Sequence, residues 1–362
     1  MDKLSAWLCL KHAPELGIKG TLDLLSKYPD PCAYIGKPEH ELYQSGLLKK
    51  KSAEHLAQAV LPHDFPRMLK LCERHGIEAL FLSDADYPKA LRSIAEAPLI
   101  LYYTGNMDTL EHLPSMAVVG TRKASAYGKE MCAKLLKPAC ERGVMIISGL
   151  AMGIDTVAHH TALENGAPTI AVLASGLDSI YPPTNKPLAE KITLSGALIS
   201  EYDPGSKLER WNFPDRNRII SALSQAVFIV EGGKESGAML TARFAAEQGR
   251  PIFALPGNIN IPNAAGPNNL IQQGAELISS AEDLLKLLKL ESPQDDQIEL
   301  FPTLEPDEQQ LYDLFREAQQ ELSYDQLLIK TGLSFGKLSV LLLNLELKGV
   351  IAKNRGNSFI LR

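Results

Sequence analysis

Short apolar strands alternate with amphipathic helices between residues 117 and 254, and this alternation limits the folds open to the chain. The strands are continuous and mostly β-branched, as expected of strands buried on both faces of a sheet. Helical patterns of ten or more residues separate most of them, and units of this length need right-handed crossovers. We therefore predict a parallel, doubly wound α/β sheet within residues 77–290. The predicted strands are 117–119, 144–147, 169–173, 197–199, 226–230 and 252–254.

Two further segments flank this region. Residues 1–76 show helical spacing with short polar breaks, which predicts a small helical domain. The Gly-Ile-Lys-Gly segment at 17–20 is similar to a helix-hairpin-helix turn, although a plain turn between helices is the simpler interpretation. Residues 291–308 hold seven acidic residues, three prolines and no basic residue, which predicts a linker over 291–306. The helix, helix-turn-helix and hairpin pattern of 307–362 predicts a winged-helix domain.

The overall charge does not mark the chain as a nucleic-acid binder. Its formal net charge is −6, so binding to nucleic acid requires a local cationic patch. The five cysteines are scattered without a CxxC pair, which predicts neither a disulfide framework nor a zinc site and fits a reducing cytoplasm. No apolar run approaches the ~18 residues of a membrane span, so we expect no membrane partner.

Glycine and polar residues follow several of the predicted strands, at 120–123, 148–153 and 174–178. The carboxyl ends of parallel strands share one edge of a sheet, where ligands bind. Residues 231–237 add a glycine-rich turn between a buried strand and a helix, whose first N–H groups can hold a phosphate. We expect an exposed cationic cluster with a phosphate site beside it. Four cationic residues lie in or near residues 231–237 in the sequence: Arg216, Arg218, Lys234 and Arg243.

Several common nucleotide and catalytic motifs do not match. Arg122 and Lys123 stand where a dinucleotide-binding turn needs bare glycine backbone, and residues 232–236 lack the loop of a Walker A motif. His159 and His160 are adjacent on a predicted helix and point about 100° apart, so they are poorly placed to bind one metal. No pair of carboxylates stands out as an acid–base couple. We predict no catalytic residue, no cofactor and no metal site.

Five motifs, in order along the chain, resemble the DNA-processing protein A family (DprA, also called Smf). They lie at 120–122, 148–155, 213–220, 236–242 and 255–257. The resemblance implies an extended Rossmann-like sheet between a helical domain, of the sterile-alpha-motif or helix-hairpin-helix type, and a winged-helix domain. It also implies a homodimer, with residues 269–277 as the candidate interface. The implied function is not enzymatic: binding single-stranded DNA and loading the RecA recombinase onto incoming DNA during natural transformation.

The resemblance also implies a set of DNA-binding residues. Arg122 would contact the DNA backbone, and Arg216 or Arg218 would complete the pocket. A row of strand–helix turns can take the successive phosphates of a single strand while its bases stack on aromatic groups. Candidate stacking groups are Phe213, Tyr127 and Tyr181. The predicted DNA-binding residues are Gly120, Thr121, Arg122, Lys123, Gly149, Arg216, Asn217, Arg218, Lys234, Ser236, Gly237 and Thr241.

Two other functions stay open. Nucleotide phosphoribohydrolases of the lysine-decarboxylase-like group have a related fold and the motif PGGxGTxxE. With Gly237 as the third glycine of that motif, the catalytic glutamate position falls on Thr241, which lacks the required carboxylate. A regulator of duplex DNA would use the winged helix, but residues 303–362 hold seven Lys or Arg against eight Asp or Glu. Because duplex readers carry a denser basic face, this tail favours protein contact.

Overall fold

The computed structural model of the chain describes residues 1–362 except 44–45, 109, 111, 291–303, 319–320, 349, 355–357 and 362. The chain divides into two units, Met1–Leu290 and Glu291–Arg362. The predicted linker lies outside the described residues as far as residue 303, and so do the residues at the centre of the predicted wing turn. The boundary predicted at residue 76 stays a prediction, because the helices before it belong to the same unit as the sheet.

The N-terminal helices share one hydrophobic core with the sheet. Trp7 packs on Phe81 with ring centroids 5.6 Å apart, and both belong to a buried cluster that also contains Tyr102 and Leu198. Residues 17–20 are the first residues of helix α2, so the expectation of a connecting turn between helices at this position is wrong. The helices are α1 (Lys3–Lys11), α2 (Gly17–Lys27), α3 (Glu39–Tyr43), α4 (Lys50–Ala57) and α5 (Phe65–His75).

A nine-stranded sheet forms the centre of the first unit, in the order β1-β2-β6-β5-β4-β3-β7-β8-β9. Its strands are β1 (Glu78–Phe81), β2 (Ile100–Gly105), β3 (Ser115–Val119), β4 (Met145–Ser148), β5 (Thr169–Val172), β6 (Ala197–Ser200), β7 (Ala226–Ile229), β8 (Ile252–Ala254) and β9 (Glu276–Leu277). From β3 the chain winds outward through β4 to β6 on one side and through β7 to β9 on the other. A topological switch point therefore lies between β3 and β7.

Helices cover both faces of this sheet, as its fully buried central strands require. They are α6 (Lys89–Arg92), α7 (Ala126–Glu141), α8 (Ile154–Glu164), α9 (Lys186–Ser195), α10 (Asn212–Ala222), α11 (Gly237–Glu247), α12 (Ala265–Gln272) and α13 (Ala281–Leu287). All six predicted strands are confirmed, and the fold class with them. The sheet is nevertheless not wholly parallel, because β2 pairs antiparallel with both β1 and β6. The connection between β1 and β2 contains only the four-residue helix α6.

The second unit is a winged helix. Helices α14 (Pro306–Ala318), α15 (Tyr324–Thr331) and α16 (Phe335–Leu347) pack with the strands around one apolar core. The sheet has the order β10-β12-β11. Its strands are β10 (Leu322–Ser323), β11 (Ile351–Asn354) and β12 (Ser358–Leu361). The predicted pattern of helix, helix-turn-helix and hairpin is confirmed, whereas the two-residue β10 was not predicted.

Across the described residues, no single helix is long and apolar enough to cross a membrane, and one bent pair, Tyr324–Thr331 with Phe335–Glu346, meets the length and composition criterion.

Candidate functional site

A cleft of about 460 Å³ opens at the switch point, beside the carboxyl ends of β3 and β7. Eight of the twelve predicted site residues line it. The cleft thus joins the turn after β3, the first turns of α10 and the start of α11, which are far apart in the sequence. The lining residues are Val119, Gly120, Thr121, Arg122, Ala151, Asp155, Phe213, Pro214, Arg216, Asn217, Ile220, Ser236, Gly237, Ala238, Leu240 and Thr241.

The turn that carries Arg122 is held in place by Glu231, two residues after the end of β7. The Thr121 N–H donates to the Glu231 carbonyl oxygen at 2.8 Å. The Glu231 carboxylate accepts hydrogen bonds from both the N–H and the hydroxyl of Ser125, and Ser125 also caps the N-terminus of α7. These contacts fix both ends of the turn and leave Arg122 and Lys123 exposed between them.

A glycine in the neighbouring turn lets the two turns approach each other. Gly153 has φ of 86°, and a Cβ atom there would lie 2.3 Å from the carbonyl oxygen of Thr121. Both the backbone conformation and the lack of space therefore require glycine. The Ile154 N–H donates across the same contact to the Thr121 carbonyl oxygen at 3.3 Å. The turn after β4 thereby contacts and supports the turn that carries Arg122.

Arg216 is a buried support of the cleft. Its side chain donates to the carbonyl oxygen of Gly149 at 2.8 Å and also to that of Val172, so it ties together the ends of β4 and β5. A Cβ atom on Gly149 would lie 2.4 Å from the guanidinium, which explains the glycine. Burial lowers the pKa of Arg216 to about 10, and the group therefore stays charged at neutral pH.

Asp155 is the buried counter-charge of this arginine. One of its carboxylate oxygens accepts hydrogen bonds from the N–H groups of Gly149 and Ala151, both at 3.2 Å. Burial, opposed by the charge of Arg216, raises the pKa of Asp155 above its ordinary value. Both of these partners lie in the turn after β4. Its carboxylate therefore fixes the shape of that turn.

Arg218 does not reach the cleft. It lies two residues after Arg216 on α10 and so faces nearly the opposite way. There it makes a double hydrogen bond to the Glu201 carboxylate, at 2.8 and 2.7 Å. Burial disfavours its charge, but Glu201 outweighs burial and raises the pKa of Arg218. Arg216 and Arg218 are only 4% and 6% exposed, so the expectation of an exposed cationic cluster is wrong for both.

The start of α11 offers hydrogen-bond donors to the cleft. The first N–H groups of a helix have no partner within it and carry a partial positive charge. Ser236 precedes this helix, and its buried hydroxyl has no hydrogen-bond partner among the described residues. The Asn217 side chain bridges to the Gly237 carbonyl oxygen at 3.2 Å. This combination of donors suits a phosphate oxygen.

One aromatic ring, that of Phe213, lines the cleft, and two exposed tyrosines are the other candidate stacking groups. The Arg122 guanidinium lies over the Phe213 ring, 4.7 Å from its centroid. Tyr181 meets the same ring edge-on at 5.7 Å and is 46% exposed. Tyr127 is also exposed and donates its hydroxyl to the Pro256 carbonyl oxygen at 3.0 Å. Stacked cation and rings of this kind can take a nucleic-acid base.

Two predicted lysines lie beside the cleft and not within its lining. Lys123 is exposed in the Arg122 turn, and its carbonyl oxygen accepts a hydrogen bond from the Asn263 side chain at 3.1 Å. Lys234 is exposed after β7 and lines a neighbouring groove with Arg243. Within the described ranges, neither lysine forms an ion pair. Because β3 and β7 are adjacent and parallel, both lysines extend the cationic edge around Arg122.

The structure shows contributors that sequence reasoning missed. Glu231 belongs to the glycine-rich turn predicted from the sequence, but its carboxylate anchors the neighbouring turn through Ser125. Trp211 is 64% exposed, two residues before Phe213.

His159 is buried with its Nδ1 2.7 Å from the Thr169 hydroxyl, and burial lowers its pKa to about 3. No group of three His, Cys, Asp or Glu side chains in the described part of the chain could hold a metal ion.

Comparison with known proteins identifies the family. A profile of DNA recombination-mediator protein A matches residues 78–289, more than half of the chain. The chain belongs to the DNA recombination-mediator protein A family. A second profile, of the DprA winged helix domain, matches residues 299–357 and confirms the predicted tail. The chain is 39% identical to the DNA processing protein DprA of Bacillus subtilis (strain 168) over 259 residues, which cover 72% of this chain and 87% of that protein.

Solved structures of DNA processing protein A are similar to the chain. The X-ray structure from Streptococcus pneumoniae has a TM-score of 0.68 and 33% identity, and the match covers 79% of this chain and 98% of that one. A Helicobacter pylori structure, which reports that protein's single-stranded DNA binding mode, has a TM-score of 0.54 and 31% identity, with 59% and 95% covered. Thr241, which holds the position of the catalytic glutamate in the phosphoribohydrolase motif, is buried in the cleft wall and supplies no carboxylate.

Proposed function

We propose that the chain binds single-stranded DNA along the edge that contains the cleft, without breaking a bond. The carrying observation is the combination of exposed Arg122 stacked on Phe213 with the donors at the start of α11. A phosphate meets the donors and the cation, while the adjacent base meets the aromatic side. Such simultaneous contacts need an unstacked base, which a single strand presents and a duplex does not. The binding mode reported for the Helicobacter pylori protein supports this choice.

The number of phosphates that the exposed cations contact sets the salt dependence of DNA binding. Fluorescence anisotropy of labelled oligonucleotides, single- and double-stranded, over a salt series tests it. Each lost phosphate contact lowers the slope of log affinity against log salt by about 0.7 for a single strand. We expect this decrease in Arg122→Ala and a larger one in Lys234→Glu, with sharply weaker binding in both. Unchanged slopes in both variants would remove the proposed site.

Lys137 provides a matched control for these changes. It is exposed on the last turns of α7, far along the helix from the cleft, and pairs loosely with Glu141 at 3.7 Å. Lys137→Ala and Lys137→Glu make the same kind of charge change outside the proposed site. Both should bind single-stranded DNA with the affinity and salt slope of the wild type, apart from a small loss from the changed net charge.

Loading of RecA during natural transformation is the biological step that we propose for this binding. The family's name as a recombination mediator supports it. We expect the wild-type protein to accelerate RecA nucleation on a labelled single strand, and Arg122→Ala to lose that effect while keeping its fold. Acceleration that survives in Arg122→Ala would separate RecA loading from the cleft. Transformation frequency in a strain carrying the same substitution tests the cellular role.

The proposed homodimer would use the sheet edge around residues 269–277. Strand β9 is the last of the sheet, and Leu277 on it is 46% exposed. An unpaired edge with an exposed apolar residue is suited to association. Light scattering after size exclusion should give a dimer for the wild type and a monomer for Leu277→Asp. A variant that stays dimeric would place the interface elsewhere.

A nucleotide phosphoribohydrolase is the competing function. The cleft is large enough for a mononucleotide and contains the Asp155 carboxylate. That carboxylate, however, already accepts two backbone N–H groups and is buried. Incubation with AMP, CMP and GMP should therefore release no free base. Turnover that Arg122→Ala abolishes would make the chain an enzyme and overturn the proposal.

A further inference from the structure

We infer that Asp203 is a positioning residue for the DNA-binding cleft. Its carboxylate links helix α1 to the loop between β6 and α10. That loop in turn holds α10, which forms one wall of the cleft. The inference rests on the proposed function. It assigns the N-terminal helices a role in shaping the cleft, in place of the DNA contact that a helix-hairpin-helix would make.

Three side chains from α1, its C-terminal end and β2 converge on the Asp203 carboxylate. Lys11 Nζ and the Tyr102 hydroxyl donate to Oδ1 at 2.6 and 2.8 Å. His12 Nε2 lies 2.7 Å from Oδ2. Lys11 also donates to the Glu201 carbonyl oxygen at 2.8 Å. Burial acts to raise the pKa of Asp203, but Lys11 and His12 outweigh it and hold that pKa well below its ordinary value. The carboxylate is therefore ionised at neutral pH.

Glu201 and Tyr202, the two residues before Asp203, form hydrogen bonds with α10. Glu201 makes its double hydrogen bond to Arg218 on this helix. The Tyr202 hydroxyl donates to the Asn212 carbonyl oxygen at 3.2 Å, at the first residue of the helix. Residues 201–203 thus contact α1 on one side and both the start and the middle of α10 on the other.

Helix α10 contributes five residues to the cleft lining, among them Phe213 from its first turn and Arg216 from its second. Residues 201–203 are absent from the cleft lining, so any effect of theirs on the shape of the cleft passes through this helix. Helix α5 supports the same loop, since a Cβ atom on Gly205 would lie 3.2 Å from Leu71. A displaced loop would move the aromatic side of the cleft away from Arg122.

The charge of Asp203 makes the test discriminating. Asp203→Asn removes a negative charge, and electrostatics alone would then strengthen DNA binding. Loss of positioning has the opposite sign. We expect the dissociation constant for a single-stranded oligonucleotide to rise about fivefold or more, the low end of coupling between sites. The salt slope should stay that of the wild type, because the phosphate contacts keep their number.

The experiment measures anisotropy over a salt series for the full-length wild type, Asp203→Asn, Lys11→Met and the double variant. We expect the double variant to bind no more weakly than the weaker single variant, because both changes break one linkage. Lys51→Met is the matched control. It removes an exposed ion pair to Glu15, at 2.8 Å, in the same N-terminal helices, and should bind like the wild type.

Each outcome decides between the alternatives. Asp203→Asn binding as tightly as the wild type or more tightly, a reduced salt slope, or additive losses in the double variant would each overturn the inference. Thermal melts confirm that the variants fold, and Lys11→Met carries the test if Asp203→Asn does not. If the wild type itself binds no single-stranded DNA, the proposed function falls. If the wild type binds and both single variants match it, only the positioning role falls.

Discussion

Gly153→Ala tests whether the contact between two strand-end turns shapes the cleft. Gly153 has φ of 86° and ψ of −125°, a conformation that costs other residues about 1–3 kcal/mol. The new methyl group would also lie 2.3 Å from the Thr121 carbonyl oxygen and 2.8 Å from the Arg122 carbonyl carbon. These are backbone atoms, so relief requires backbone movement, at about 1–3 kcal/mol more. We expect a total loss of about 2–6 kcal/mol in the free energy of unfolding.

Gly143→Ala separates the two contributions. Gly143 also has a positive φ, 78°, but no atom lies within 4 Å of the added Cβ position. Its cost should be the backbone part alone, about 1–2 kcal/mol. Urea unfolding followed by tryptophan fluorescence measures both variants. Trp7 and Trp211 are the only tryptophans and both lie in the unit of residues 1–290, so the signal reports on that unit.

The movement caused by Gly153→Ala should displace Thr121 and Arg122 and weaken single-stranded DNA binding in the anisotropy assay. Gly143→Ala should leave the affinity unchanged. Equal losses of stability in the two variants would show that the contact across the turns is not tight. A folded Gly153→Ala protein with wild-type affinity would show that the position of Arg122 does not depend on it.

Three other predictions concern buried groups. Arg216→Met should lower the free energy of unfolding by about 3–5 kcal/mol, measured in urea, because Asp155 is left buried without its counter-charge; a loss below about 1 kcal/mol would contradict that pairing. Ser125→Ala should cost about 1–2 kcal/mol by calorimetry, since it removes the cap of α7 and a donor to Glu231. The stability that ionised Asp203 contributes is present above its unfolded pKa of about 3.9 and is lost as pH falls below it. The difference in stability between the wild type and Asp203→Asn should therefore be largest near neutral pH and shrink below about pH 4; a constant difference would refute the depressed pKa.

The strand–helix alternation and the turns of the cleft could be predicted because their signals are local. A buried parallel strand needs a continuous apolar run, and a tight turn with close backbone approach needs glycine, so both are visible over a few residues. Six strands, the turn with Arg122 and the start of α11 were placed in this way. The adjacent positions of Arg122 and Ser236 also followed, because parallel strands end at one sheet edge.

Pairings between distant residues decided the rest, and no local pattern contains them. Arg216 and Arg218 have the same side chain two residues apart, yet one supports the cleft and the other pairs with Glu201 on the far side of α10. Their burial depends on which carbonyl and carboxylate groups the folded chain brings within about 3 Å. The same holds for β2, whose antiparallel neighbours are set by the sheet order, and for Asp203, whose partner Lys11 is 192 residues away. Local chemistry thus determined which turns carry glycine and helix N–H groups at the sheet edge, while tertiary packing alone determined which charges remain exposed there.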